Sequence, residues 1–194
     1  MIPAFNHSHV LPPFLGATVS YAEASPYVVT AAELVRRFGT TTERRLLLRG
    51  LMALRAKLLQ LGFTEGFQWL DGSFVENVEA HAERPPADVD VVSFVHSPAG
   101  LSATQVQSLM DTNPEVFVRE RCRADYFCDL FVVNLGKKPE KLVQDVRYWY
   151  GLYSHRRSDH VWKGLLQLPM VSDDDVALAL LDNADEGDND AATA

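Results

Sequence analysis

The sequence predicts an α/β (α+β) fold in which a small mixed β-sheet is flanked by helices. Amphipathic helical stretches alternate along the chain with short runs of β-branched and aromatic residues, the pattern of a layered sheet-and-helix domain. The 194 residues suit one domain, on a prior of roughly 100–200 residues each. Apolar residues make up 47% and charged residues 23%, so the bulk of the chain is neither disordered nor fibrous.

Residues 1–27 carry four of the ten prolines and predict an extended N-terminal arm lying on a domain at residues 28–171. A helix is expected over 41–61. Thr40 and Glu43 have capping-box spacing, Leu47, Leu48, Leu51, Leu54, Leu58 and Leu61 mark one face, and Gly62 stops it. Its other face holds Arg44, Arg45, Arg49, Arg55 and Lys57, which are expected in solvent or against the chain's own acidic tail. A strand at 67–70 leads into Asp71-Gly72-Ser73 and a helix at 74–82. The loop with Pro85 and Pro86 resets the chain into a strand at 88–95. Ser102 and Gln105 cap a helix at 103–110, and residues 114–121 fit either a helix or extended chain.

Residues 126–135 form the next strand by their β-branched and aromatic content. Pro139 opens a helix with Leu142, Val143, Val146, Trp149, Tyr150 and Tyr153 on one side. Residues 161–168 predict a last strand and 173–181 a short acidic helix. There is no internal repeat.

The net charge of −8 arises in the tail. Eight of the 26 acids lie in residues 172–194 without a base among them, leaving 18 acids and 18 bases in the body. The tail is expected to be solvated and frayed, and a neutral body offers no broad field for nucleic acid, so that partner is not favoured. No apolar run reaches the ~18–20 residues of a membrane span, and the start lacks the features of a signal peptide, so no membrane partner and a cytoplasmic location are expected. Cys122 and Cys128 have neither disulfide-framework nor zinc-cluster spacing and are expected to be buried.

The informative residues are acids in apolar strands. Asp88 and Asp90 occupy positions i and i+2 and therefore share a face. At about 5.5 Å they repel by roughly 3 kcal/mol at an effective dielectric near 20, a conflict that a cation removes. Close, hard oxygen ligands suit Mg²⁺ bridging to phosphates. Asp129, in CDLFVV, is a third acid where a core residue is expected. It could join the pair at a metal or take a proton from an attacking hydroxyl. Against this stand plainer roles, Asp88 capping the strand entrance and Asp129 facing solvent on an edge. Gly72-Ser73, between a strand and a helix, could hold phosphate with backbone N–H groups and a hydroxyl, or Ser73 and Glu76 could simply cap the helix.

Gly-Ser after a strand, Asp-x-Asp on the next strand and a later Asp resemble the DNA polymerase beta-like nucleotidyltransferase superfamily over roughly residues 63–135. The opening MIPAFN and LPPF, the stretch RRFGTTTERRLLLRGL and WLDGSF are similar, over nearly the whole chain, to an uncharacterised bacterial family of nucleotidyltransferase-like proteins. The resemblance implies a minimal nucleotidyltransferase fold and transfer of a nucleoside monophosphate from a nucleoside triphosphate, ATP first, to a hydroxyl. Asp88 and Asp90 would hold Mg²⁺ or Mn²⁺, Asp129 would be third ligand or base, and Gly72 and Ser73 would hold the triphosphate. The acceptor would be a partner protein, a tRNA or a small molecule. One departure is the 14 residues between Ser73 and Asp88. The alternative is a degenerate nucleotide- or partner-binding protein, an antitoxin or regulator in a toxin-antitoxin or defence setting. Arg156, Arg157 and Lys163 could contact phosphates or an acidic partner but read first as a solvated basic loop, His7, His9, His155 and His160 lack ligand spacing, and Trp69, Trp149 and Trp162 read as core or interface residues.

Overall fold

The apolar runs become strands and the amphipathic runs pack around them. In this computed structural model the order is β1 (Tyr27–Val28), α1 (Ala31–Phe38), α2 (Thr42–Gln60), β2 (Gly66–Asp71), α3 (Val78–Ala82), β3 (Val89–Val95), α4 (Ala103–Asp111), α5 (Pro114–Phe117), α6 (Arg119–Tyr126), β4 (Cys128–Asn134), α7 (Pro139–Tyr153), β5 (Leu166–Pro169) and α8 (Asp174–Ala192). The structure describes residues 1–16 and 20–192; residues 17–19 of the arm and 193–194 of the tail lie outside it. The five strands form one mixed sheet in the order β1-β5-β2-β3-β4. β2 runs antiparallel to β3 and β5, whereas β3 and β4 are parallel, as are β1 and β5. This is the expected mixed sheet flanked by helices.

Period-2 alternation gives the sheet two unlike faces. Val89, Val91, Leu70, Leu130, Leu166 and Leu168 turn into the larger core, with α1, α2 and α8 supplying Leu34, Leu48, Leu51, Leu54, Leu58 and Leu181. Trp69, Val92, Phe94 and Val133 turn the other way, toward Trp149, Tyr150 and Tyr153 of α7. The arm adds buried Val10 and Leu11, and Gly164 donates its N–H to the Leu11 carbonyl.

Several local expectations need correction. Residues 28–40 contain a helix that was not anticipated, α1, although Thr30 and Glu33 form a complete capping box there. α2 is capped by Thr41, which accepts from the Arg44 N–H, and not by the Thr40–Glu43 pair. Its basic face is not solvated. Arg44, Arg45 and Arg55 are buried. Arg45 and Arg49 meet Asp185, and Arg55 meets Asp174, so the acidic tail is a helix, Asp174–Ala192, docked on α2 as far as Asp185 and not a frayed end there. Arg55 also donates to the Gln68 side chain, which donates to Ser93, tying α2 and α8 to the buried face of the sheet.

Residues 114–121, left open by the sequence, are helical in α5 and the start of α6. Tyr126 ends α6 and does not begin β4; Phe127, at φ 54°, makes the turn between them. The last strand is confined to Leu166–Pro169. On α7 the expected apolar stripe is incomplete, since Val143 and Val146 are exposed. Cys122 and Cys128 are buried free thiols, as expected.

Candidate active site

Strand register gathers the acids. Asp90 of β3 lies between Asp71 of β2 and Asp129 of β4, each its direct partner across the sheet. Directly opposed residues share a face, so the three carboxylates form a row across neighbouring strands at the end of the α7-covered face. β3 begins at Val89, one residue later than expected, so Asp88 lies just ahead of the strand, where it lines the same cleft as Asp90. β4 is an edge strand, but Asp129 is buried, which overturns its solvent-facing alternative.

Gly72 turns the chain directly after Asp71. Its φ of 80° and ψ of −165° are open to glycine, and a Cβ there would overlap the Asp90 carboxylate. The turn therefore stands against the acid row. Ser73 opens a 3-10 turn to Val75 and makes no side-chain cap, so the alternative Ser73–Glu76 capping box does not form, and the expected 74–82 helix shrinks to this turn plus α3.

Glu76 turns inward to Lys163. Lys163, read from sequence as part of a solvated loop, is 2% exposed. Its Nζ donates to Glu76 Oε1 at 2.6 Å and to the Gly72 carbonyl at 3.2 Å. It also lies 3.2 Å from Asp71 Oδ1, outside hydrogen-bonding geometry, so that buried oxygen has no hydrogen bond. Burial alone would lower the Lys163 pKa, but Asp71 and Glu76 outweigh it and the net shift is upward. For Asp71 burial wins over the Lys163 charge and pushes the carboxyl up to about 7. Burial, then the charges of Asp88 and Asp129, push Asp90 up to about 6.

Arginines compensate the outer acids. Arg119 of α6 grips Asp129 with two bonds, Nε to Oδ1 at 2.7 Å and Nη2 to Oδ2 at 2.5 Å. Arg123, one helical turn on, pairs with Asp88. The Asp90 carboxylate, between Asp71 and Asp129, has no hydrogen bond or ion pair among the described residues. The buried Tyr153 hydroxyl also lacks a partner, and its pKa is raised by burial and then by Asp90, Asp71 and Asp129.

Asp129 lies beside Asp90 in the sheet, and Asp71, Gly72, Ser73, Asp88, Asp90 and Arg157 help to line a cleft of about 320 Å³. That is the small end of the ~300–1,000 Å³ common for ligand sites. Arg156 is not solvated either; it is held by Asp159 and the Ser8 carbonyl, whereas Arg157 is exposed at the cleft wall. Three members of the site escaped sequence reading. Asp71 resembles a turn residue, and Glu76 and Lys163 meet only through a separation of 87 residues.

The donor chemistry fits a hard divalent cation: Asp90 is unpaired, and Asp71 Oδ1 is a buried oxygen without a hydrogen bond. Among the described residues, however, no three acidic, histidine or cysteine side chains are spaced to hold one as they stand. Asp88 and Asp129 are each engaged by an arginine of α6.

The sequence pattern of a family of unknown function, DUF6932, matches residues 3–169. The chain belongs to this family. The match covers the N-terminal arm, the whole sheet and every residue of the cleft, and stops before α8. No curated protein and no solved structure matches the chain. Among the described residues no helix is long and apolar enough to cross a membrane.

Proposed function

We propose that the chain is a divalent-cation-dependent nucleotidyltransferase, moving a nucleoside monophosphate from a nucleoside triphosphate to a hydroxyl. The reading is carried by one observation: the Gly72–Ser73 turn stands in the same cleft as Asp88 and Asp90, with Asp129 in register beside Asp90. Ser73, whose hydroxyl is uncommitted, and the backbone around Gly72 would receive the phosphates. Asp88 and Asp90 would hold Mg²⁺ or Mn²⁺, which supplies charge neutralisation on the phosphates. Asp129 is the third ligand or the base that takes the acceptor's proton. The acceptor oxygen bonds to the α-phosphorus as the bond to pyrophosphate breaks. ATP is the first donor to try, and a partner protein the first acceptor, ahead of tRNA or a small molecule, because the cleft has little wall of its own with which to select one. A cytoplasmic setting accords with this chemistry.

The arginine pairs on Asp88 and Asp129 favour a second reading, a degenerate nucleotide- or partner-binding protein such as an antitoxin or regulator. Melting with each NTP, with and without Mg²⁺, separates the two when combined with α-labelled nucleotide. Ligand at ~100 times Kd adds about 2.7 kcal/mol. The first reading expects a Mg²⁺-dependent shift that Asp88→Asn/Asp90→Asn abolishes, and label transferred from the α-phosphate in lysate. A shift without transfer selects the second reading, and no shift with any NTP refutes the first.

A further inference from the structure

We infer that Arg119 and Arg123 form an electrostatic latch on the cleft, which a divalent cation opens and which then serves as the anion-binding arm for a phosphate chain. The inference rests on the cation site of the proposed function and deepens it by assigning two residues that sequence motifs do not mark.

Four observations carry it. The two arginines stand four residues apart on α6, so both project from one side of that helix. Each holds an acid next to Asp90, Asp129 across the sheet or Asp88 two residues before it, while the Asp90 carboxylate has no such partner. The arginine side chains are 54% and 45% exposed, whereas the side chain of Asp129 is 4% exposed. Asp129 is thus anchored in the sheet, Asp88 is less exposed than its arginine, and the guanidiniums are the movable partners. Last, the deeply buried Tyr153 Oη, close enough to Asp90, Asp71 and Asp129 to feel their charges, has no hydrogen-bond partner, and Asp71 Oδ1 has only the ion pair with Lys163.

Arg119 on both oxygens of Asp129, and Arg123 on one oxygen of Asp88, place a positive charge where a cation ligated by those carboxylates would lie, so each guanidinium and a divalent ion compete for its acid. When the ion wins, two half-exposed guanidiniums are released beside these acids. Each offers a planar fork of N–H donors suited to phosphate oxygens. The competition makes an empty cleft reluctant to take a cation alone, and makes cation and phosphate chain bind together, because the phosphate gives the displaced arginines a new partner.

Mn²⁺ binding, followed by the loss of the free-ion paramagnetic resonance signal, tests the latch without any reaction. The variants are R119Q/R123Q, which keeps hydrogen-bonding side chains, and R123Q alone, whose partner Asp88 is partly exposed and whose folding is the safer. Metal-free melting confirms that each is folded. The latch expects Mn²⁺ alone to bind the double variant at least about tenfold tighter than wild type, with R123Q between them. It expects Mn²⁺-dependent binding of inorganic tripolyphosphate to weaken by at least about tenfold in the double variant. Equal Mn²⁺ affinity in wild type and both variants overturns the latch and leaves the cation site intact. Tighter Mn²⁺ with unchanged tripolyphosphate binding overturns the anion-arm role. Failure of all three proteins to bind Mn²⁺ overturns the cation site and the latch with it.

Discussion

Replacing Lys163 by methionine tests whether the buried charge cluster holds the cleft together. Methionine keeps the length of the side chain and removes the ammonium, leaving Glu76 without its 2.6 Å donor and Asp71 without its nearest cation. Breaking a buried ion pair by deleting one partner costs about 3–5 kcal/mol, because the remaining charge stays in a poor dielectric. For a chain of this size 1 kcal/mol is roughly 2–4 °C in Tm, so a fall of roughly 6–20 °C is expected. The deficit also depends on pH. Asp71 titrates at about 7 in the folded protein, above an unfolded carboxyl, so its ionisation already opposes folding near neutral pH. Removing Lys163 raises that folded pKa further. The added penalty is therefore largest above pH 7 and narrows as the pH falls below 7, where Asp71 is protonated in wild type and variant alike. Urea unfolding at pH 8 and pH 6, with m unchanged, reads both quantities. A deficit under ~1 kcal/mol at pH 8 would refute the claim that Lys163 neutralises buried carboxylates.

Other substitutions probe separate links. Gly72→Ala puts a Cβ at a φ of 80° and against Asp90, so a loss of about 1–3 kcal/mol is expected by denaturant melting, together with any Mg²⁺-nucleotide shift. Asp174→Asn strips the fully buried Arg55 of its carboxylate partner and should cost about 3 kcal/mol or more, whereas an exposed Val143→Ser should stay within about 0.5 kcal/mol. Arg49, then Arg45, hold the Asp185 carboxyl below its ordinary value. A depressed carboxyl stabilises the fold above the unfolded pKa, and the gain disappears as pH falls through the folded one. Hydrogen exchange in α8 should therefore accelerate in acid, below pH about 4, before it does in β3. Uniform protection across both elements at pH 3 would count against α8 being held by these pairs.

Asp88 and Asp90 were legible in the sequence because a strand's period is two and an acid is conspicuous among valines. The same alternation, in β2, hid Asp71: next to Gly72 it looks like an ordinary turn residue, and only the β2–β3 register sets it opposite Asp90. α1 carried its signal in Thr30 and Glu33. The basic positions of α2 were misleading for a different reason. A helix pattern records which side a charge lies on, but not that a second helix from the other end of the chain covers it.

Local rules thus suffice for what depends on near neighbours: the apolar strands, most caps, the turn at Gly72 and the two acids at the start of β3. The pairing of Lys163 with Glu76, of Arg119 with Asp129 and of Asp182 and Asp185 with α2 belongs to tertiary structure. Those contacts join residues through the sheet order and helix packing, and the energy of a charge is set by the burial and partners it meets there, neither of which is written in the residues beside it.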